Sequence, residues 1–258
     1  MADVVLYEKL AGGIAVVTLN RPEKRNAVSP EVAAALEAAV KRSEADPEVR
    51  VVILTSSNDQ VFCAGADLAA VAEGRGALIS TADGGIAGFV AARRRKPWIA
   101  AVRGAALAGG CELCLACDMI VAAGDSRFGL PEVKRGLMAA AGGLSRLPRA
   151  IPRHIALEMI ATGDPIDAPR AYALGLVNRL TAPDAVMTEA LALARQIACN
   201  APLAVQESVT LASEAAYMDE AETGRATDAA MARLRETEDF REGPRAFVEK
   251  RAPVWTGR

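Results

Sequence analysis

Apolar positions along this chain follow two different periods, and the alternation between them predicts its elements. "GIAVVTLN" (Gly13 to Asn20), "VRVVILTSS" and "WIAAVRG" are short, nearly continuous apolar runs rich in β-branched residues, the pattern of buried strands. Between the first two, "SPEVAAALEAAVKRSEAD" spaces its apolar residues at helical intervals. Ser29 is placed as N-cap, Pro30 at the first helical position, acids come early and bases late, and Pro47 marks the end. "MIVAAG" after Asp118 predicts a further strand, and "GLPEVKRGLMAAAGGLSRLPRAI" a glycine-bearing loop that runs into helical text. From Ala185 onward the pattern is almost wholly helical, with breaks expected at Asn200-Ala201-Pro202 and at Gly243-Pro244. Val71 to Gly88 is glycine-rich without a period and is expected to be a mobile surface segment, a candidate lid. The cations Arg93-Arg94-Arg95-Lys96 ahead of Pro97 read as the C-terminus of a helix, where positive charge suits the macrodipole. The coarse plan is a mixed α/β core followed by a helical tail.

Composition narrows the classes. With 258 residues, 52% of them hydrophobic, the chain can bury a sizeable core, which excludes a disordered or fibrous protein. A net charge of −2 supplies no general attraction to nucleic acid or to an anionic membrane. The opening "MADVVLYEKL" lacks the basic start and apolar run of a secretory leader, and no stretch reaches ~18 apolar residues, so a cytoplasmic location is expected. The five cysteines are an odd number at low density and are expected to be reduced thiols.

Three of those cysteines, Cys111, Cys114 and Cys117, stand in "GGCELCLACD" at the spacing that opens a ferredoxin ligand run. The run needs a fourth cysteine and a proline, where this chain has Val121 and Ala122, and its only histidine, His154, is distant. At about 100° per residue, positions i, i+3 and i+6 of a helix share one face. The thiols are therefore expected to be core packing, with no metal site.

Two carboxylates stand out instead. Glu112 sits in the first turn of that apolar helix, entered through Gly109-Gly110. Taken alone, it also reads as an acid complementing the helix dipole. Glu132 follows Pro131 in "FGLPE", and "FCAGADL" places Gly65 in a tight turn before Asp67, a candidate N-cap.

These stretches occur in an order that resembles the crotonase, or enoyl-CoA hydratase, superfamily across essentially the whole chain. The resemblance runs through "LNRPEKRNAV", "FCAGADL", "KPWIAAVRGAALAGGCELCLACDMIVAAGDSRFGLPEVKRGL", "TGDPIDAPRAYALGLVNRL" and "EGPRAFVEKR". It implies a spiral of ββα turns over residues 1–195 and a helical trimerisation region over 196–258 that builds a trimer or a dimer of trimers. It implies an oxyanion hole from the backbone amides of Ala66 and Gly109, with Glu112 activating water for attack at Cβ and Glu132 delivering the proton to Cα. The activity implied is reversible syn addition of water to a trans-2-enoyl-CoA, with no cofactor other than the coenzyme A of the substrate. Lys24 and Arg25 are implied near its phosphates, Ala27 near the pantetheine, and the backbone of Cys63, Ala64, Asp67 and Leu68 beside the adenine or thioester arm. Phe247 and Lys250 resemble residues that reach a neighbouring subunit's CoA.

"LPEVKRGL", "RLPRAIP" and the ending "EGPRAFVEKRAPVWTGR" are most similar to the carnitinyl-CoA dehydratase branch, which makes dehydration of a quaternary-ammonium substrate the alternative. Aromatic residues, natural partners of such a cation, are only 4% of this chain. A departure from many hydratases also bears on substrate: Met138-Ala139-Ala140-Ala141 stand before Gly142-Gly143 without the usual Pro-Gly step, so methyl groups are expected to narrow the acyl pocket. A non-catalytic acyl-CoA-binding protein is the remote alternative.

Overall fold

The computed structural model describes residues 3–258; the first two residues of the expected core lie outside them. In chain order the elements are β1 (Val5–Leu10), β2 (Ile14–Leu19), α1 (Pro30–Ala45), β3 (Val51–Ser56), β4 (Val61–Cys63), α2 (Leu68–Ala72), β5 (Ser80–Thr81), β6 (Gly85–Ile86), β7 (Trp98–Val102), β8 (Ala105–Leu107) and α3 (Gly109–Ala116). There follow β9 (Met119–Ala123), β10 (Arg127–Gly129), α4 (Gly143–Ala150), α5 (Arg153–Thr162), β11 (Ile166–Asp167), α6 (Ala168–Ala173), β12 (Arg179–Thr181), α7 (Val186–Ala198), α8 (Pro202–Ala215), α9 (Glu220–Arg235) and α10 (Glu238–Val248).

The expected spiral of ββα turns is present. A six-stranded sheet has the order β1-β2-β3-β7-β9-β12 and a four-stranded sheet the order β11-β10-β8-β4. The successive pairs β3–β4, β7–β8 and β9–β10 each give one strand to the larger sheet and one to the smaller before a helix returns the chain. Apart from the antiparallel β1–β2 pair, the larger sheet is parallel, with Ile53 beside Ile99 and Ala100 beside Ile120. Both faces of its central strands are covered, which explains runs that are apolar at every position rather than at alternate ones. Val52, Leu54, Ala100, Val102, Ile120 and Ala122 face the interior between the sheets. Their neighbours Val51, Ile53, Ile99, Ala101, Val121 and Ala123 pack against Val186, Ala190, Ala194 and Ala198 of α7. Residue 195 thus falls inside a helix whose core contacts continue to Ala198.

Local signals behave as their chemistry requires. The Ser29 hydroxyl accepts the Val32 amide, and the Asp67 carboxylate accepts the Ala69 amide. The N-terminal segment forms β1, whose alternating exposure is that of an edge strand covered on one side. Several expectations are corrected. Val71 to Gly88 is a folded excursion of a 3₁₀ turn and the β5–β6 hairpin, anchored by buried Ile79 and Ala87 and leading into buried Phe89. Gly243-Pro244 lies inside α10, because proline at this depth of a short helix removes only one amide; the tail instead breaks near Met218 and again at Thr237.

The cations at 93–96 end no helix of their own. Lys96 is buried and its ammonium donates to the Ser43 and Asp46 carbonyls, both at 2.6 Å, at the C-terminus of α1. Arg94 lies over the Phe89 ring and donates to the Ala116 carbonyl at the end of α3. These bases serve helix C-termini brought to them by the fold rather than by adjacency in sequence.

Candidate active site

Two loops are stitched together to make the floor of the site. In one, Val28 donates its amide to the Gly65 carbonyl at 2.8 Å, Asp67 donates to Val28 at 2.9 Å, and Ala64 donates to Arg25 at 3.1 Å, so "RPEKRNAV" and "FCAGADL" run as a zipped pair. Arg21 locks the pair with one guanidinium nitrogen, which donates to the Ala27 carbonyl at 2.8 Å and to the Asp67 carboxylate at 3.1 Å. Asn26, buried and at φ +52°, donates to the Ser56 hydroxyl and to the Phe62 carbonyl while accepting the Arg21 amide. Neither Arg21 nor Asn26 stood out in the sequence, where both look like ordinary turn residues.

Opposite this floor, β8 turns into α3 through Ala108, which holds φ +52° and ψ −128°, a conformation that L-residues with a side chain resist. The turn is held on both sides: the Ala108 amide donates to the Gly129 carbonyl and its own carbonyl accepts the Glu112 amide. It brings Gly109 against the other loop. A Cβ on Gly109 would lie 3.3 Å from the Gly65 Cα and 3.7 Å from the Ala66 nitrogen, and one on Gly110 would strike the Cys63 carbonyl at 2.1 Å. The amides of Ala66 and Gly109 are therefore neighbours, and neither donates to an acceptor among the described residues. Gly109 also opens α3, so the positive end of that helix faces the same point. Two free amides and a helix N-terminus at one point are an arrangement able to receive a developing negative charge.

The carboxylates complete the arrangement. Glu112, only 3% exposed, accepts the Gly143 amide at 2.8 Å through Oε1. Burial pushes it up to about 7, and the negative charge of Glu132 adds to the rise, while the Gly143 amide and the Arg146 guanidinium oppose it. Glu132 stands in the 3₁₀ turn Pro131–Arg135 and is also raised by burial; its Oε2 is buried without a hydrogen-bond partner. Two acids raised by burial, one of them also by the other's charge, are suited to holding and passing a proton. Gly143 is fitted to this site, because a Cβ there would meet Glu112 Oε1 and Leu130 Cδ1, both at 3.0 Å.

Other expected residues fall into groups. Lys24, on the 3₁₀ turn, and Arg25, just past its end, are exposed, and Ala27 and Ala64 are half-buried on the two zipped loops. Cys63 is buried, its thiol donating to the Asn26 carbonyl and pushed up to about 12 by burial, while Leu68 is half exposed at the start of α2. Ala139 and Ala141 point their methyls into the core, whereas Met138 and Ala140 face outward. Phe247 and Lys250 lie exposed at the end of α10, away from this cluster in the single chain. Cys111 and Cys114 are fully buried in α3, and Cys117 is half-buried just past its end. Among the described residues no three His, Cys, Asp or Glu side chains are placed to hold a metal ion, and no helix is long and apolar enough to cross a membrane.

Comparison with known proteins places the chain in a family. A family model described as "Enoyl-CoA hydratase/isomerase" matches residues 9–258. A carnitinyl-CoA dehydratase of Salmonella typhi is 40% identical over 252 residues, 96% of each chain. The crystal structure of an enoyl-CoA hydratase from Mycobacterium tuberculosis H37Rv superposes with a TM-score of 0.95 at 43% identity, covering 100% of both chains. That of a carnitinyl-CoA hydratase from Mycobacterium avium gives a TM-score of 0.78 at 42% identity, again over 100% of both.

Proposed function

This chain belongs to the enoyl-CoA hydratase/isomerase family, and on that premise we propose that it adds water reversibly to a trans-2-enoyl-CoA, giving a 3-hydroxyacyl-CoA. The observation that carries the reading is the conjunction of two unpaired amides, Ala66 and Gly109, with two upward-shifted carboxylates, Glu112 and Glu132.

In this reading the thioester carbonyl oxygen lies between the Ala66 and Gly109 amides, which take up the charge as the acyl group becomes enolate-like. Each such donor is typically worth about 3–4 kcal/mol in the transition state. Glu112 removes a proton from water as its oxygen bonds to Cβ, and Glu132 gives its proton to Cα. Both carboxyls lie on one side of the thioester, so the two additions are syn, and a proton passed from Glu112 back to Glu132 resets the pair. The division follows the hydrogen bonds: the Gly143 amide favours charge on Glu112, whereas the unpartnered Oε2 of Glu132 suits a carboxylic acid. Lys24 and Arg25 meet the CoA phosphates, and Ala27 and the backbone of Cys63, Ala64, Asp67 and Leu68 line its arm. The reading calls on no further cofactor.

The helices after residue 195 pack against other copies in a trimer or a dimer of trimers, supported by α8, which buries no residue in the single chain, and by Phe247 at 86% exposure. Phe247 and Lys250 then reach a neighbour's CoA.

Similarity to the Salmonella typhi dehydratase supports carnitinyl-CoA or crotonobetainyl-CoA as the second reading of substrate. One assay separates the cases: loss of enoyl-thioester absorbance with crotonyl-CoA, a chain-length panel and crotonobetainyl-CoA, each with wild type and Glu132→Gln. Turnover of crotonyl-CoA that falls by about 10²–10⁴-fold in the variant supports the hydratase reading. Turnover confined to crotonobetainyl-CoA favours the second, and equal low rates in both proteins sink the two-glutamate mechanism.

A further inference from the structure

The Gly143 amide reaches Glu112 only because the loop before α4 is held, and the holding group is a side chain on α4 itself. Arg146 folds back over its own helix start. Its Nη1 donates to the Ala141 carbonyl at 3.1 Å, and its Nη2 to the Val90 carbonyl at 2.5 Å. Room for this return path exists because residue 142 is glycine at φ +100°: a Cβ there would sit 1.9 Å from Nη1. The guanidinium therefore occupies a built seat between the loop that presents Gly143 and the end of the folded excursion that follows α2. That end is gripped a second time, by Arg94 on the Phe89 carbonyl. Phe89 and Val90 are both buried, so the excursion enters the core at the place where the two arginines take hold.

We propose that Arg146 is a positioning residue for the Glu112 carboxylate: one planar guanidinium ties the Ala141 and Val90 carbonyls together and so keeps the Gly143 amide aimed at Glu112 Oε1. The inference rests on the hydratase reading for the assay but not for the geometry. A planar fork is suited to this task, since it holds two acceptors at fixed separation, which a single ammonium does not. The charge matters as well as the shape. Beside the Gly143 and Ala141 backbone amides, which lower it, the titratable and charged groups facing Glu112 are Glu132 from the 3₁₀ turn, which raises it, Arg146 from α4, which lowers it, and the neutral thiol of Cys111 on its own helix. Leu130 from the end of β10 contributes only apolar surface. Arg146 is the cation that offsets part of the burial.

The test uses the full chain with Arg146→Met and Arg146→Lys. In Arg146→Met, kcat is expected to fall by roughly 10–100-fold, the scale of a catalytic group displaced by a fraction of an ångström to one ångström. KM for the enoyl-CoA and the Kd of butyryl-CoA, which cannot be hydrated, should stay within about twofold, because the group does not touch the thioester. The rising limb of kcat/KM against pH moves to higher pH, since removal of a positive charge makes Glu112 harder to ionise. In Arg146→Lys the limb moves to higher pH by less than in Arg146→Met, because charge is kept, while kcat remains lowered, because the two-carbonyl grip on the loop that aims Gly143 is lost. Wild-type kcat in the lysine variant, or an unmoved limb in a folded methionine variant, overturns the proposal. If the methionine variant does not fold, the lysine variant decides alone. Should wild type hydrate no enoyl-CoA, the functional reading fails separately. Isotope-edited infrared titration of the carboxyl absent in Glu112→Gln then asks the same question, and a Glu112 titration that Arg146→Met leaves in place refutes the positioning role.

Discussion

Substituting alanine for Gly65 probes the proposed oxyanion receptor without replacing either donor residue. The new Cβ would stand 2.7 Å from the Ala108 Cβ and 3.0 Å from the Gly109 nitrogen, both inside the 3.4 Å at which ordinary contact begins. It would also force a side chain into φ +92°. The backbone conformation costs about 1–2 kcal/mol, and the overpacking about 1–3 kcal/mol more. Together, at about 2–4 °C for each kcal/mol in a chain of this size, the melting temperature should drop by roughly 5–20 °C. Relief of the clash must move either Ala108, already strained, or the Gly109 amide, so the rate of enoyl-CoA hydration should fall by roughly 10²-fold, the consequence of misplacing one oxyanion donor. The double variant Gly65→Ala/Ala108→Gly removes the nearer contact and frees φ +52° at residue 108 from its side-chain penalty, so it should recover part of the melting temperature. Steady-state kinetics and thermal melts of the three proteins decide the matter. Hydration at the wild-type rate by folded Gly65→Ala would refute the location of the receptor, and a double variant no more stable than the single would refute the steric account.

Ionisation makes two further predictions. In the proposed mechanism Glu112, raised to about 7, acts in its charged form, so kcat/KM should climb as pH rises through about 7; a rate flat from pH 5.5 to 8.5 would remove Glu112 as the base. The same shift is a stability term: the folded chain holds this proton more tightly than the unfolded one, so wild type loses stability as pH rises from about 4.5 to about 7, by ~3 kcal/mol in all. Glu112→Gln keeps an acceptor for the Gly143 amide and has no proton to lose, so its melting temperature should exceed that of wild type by a margin that widens across this interval. A constant margin measured by calorimetry at pH 5, 6, 7 and 8 would contradict it. The thiols give a fourth: burial pushes Cys63 up to about 12 and raises Cys111 and Cys114 as well, so purified protein should carry iron and zinc far below stoichiometry, and metal that is lost in Cys114→Ala would overturn the packing account of α3.

The frame of the molecule was readable where the controlling interactions are local or periodic. Ser29 and Asp67 cap helices from one side chain and the next turn of backbone, and the apolar runs of β3, β7 and β9 follow from burial of both sheet faces. The strand Val5–Leu10 was missed because its alternating polar positions gain meaning only beside β2. Arg94 and Lys96 carried the correct signal, cations at helix C-termini, attached to the wrong helices, since α1 and α3 reach them through folding and not through sequence. In the site, Glu112 and Glu132 were found as acids in apolar surroundings, but Arg21, Asn26, Gly143 and Arg146 were not. Each of these acts on or through backbone atoms, and a backbone carbonyl or amide has no letter in the sequence to mark it as a partner.

Both proposed donors to the thioester oxygen are main-chain groups, which decides where harmful substitutions will be found. A scan that truncates side chains to alanine leaves the amides of Ala66 and Gly109 in place and passes over the proposed oxyanion receptor. Vulnerability shifts to residues with nothing to truncate: Gly65, where an added methyl meets Ala108, and Gly110, where it meets the Cys63 carbonyl at 2.1 Å. A complete map of mutational tolerance should therefore show its deepest intolerance partly at positions that carry no functional group, in the space that the chain leaves empty.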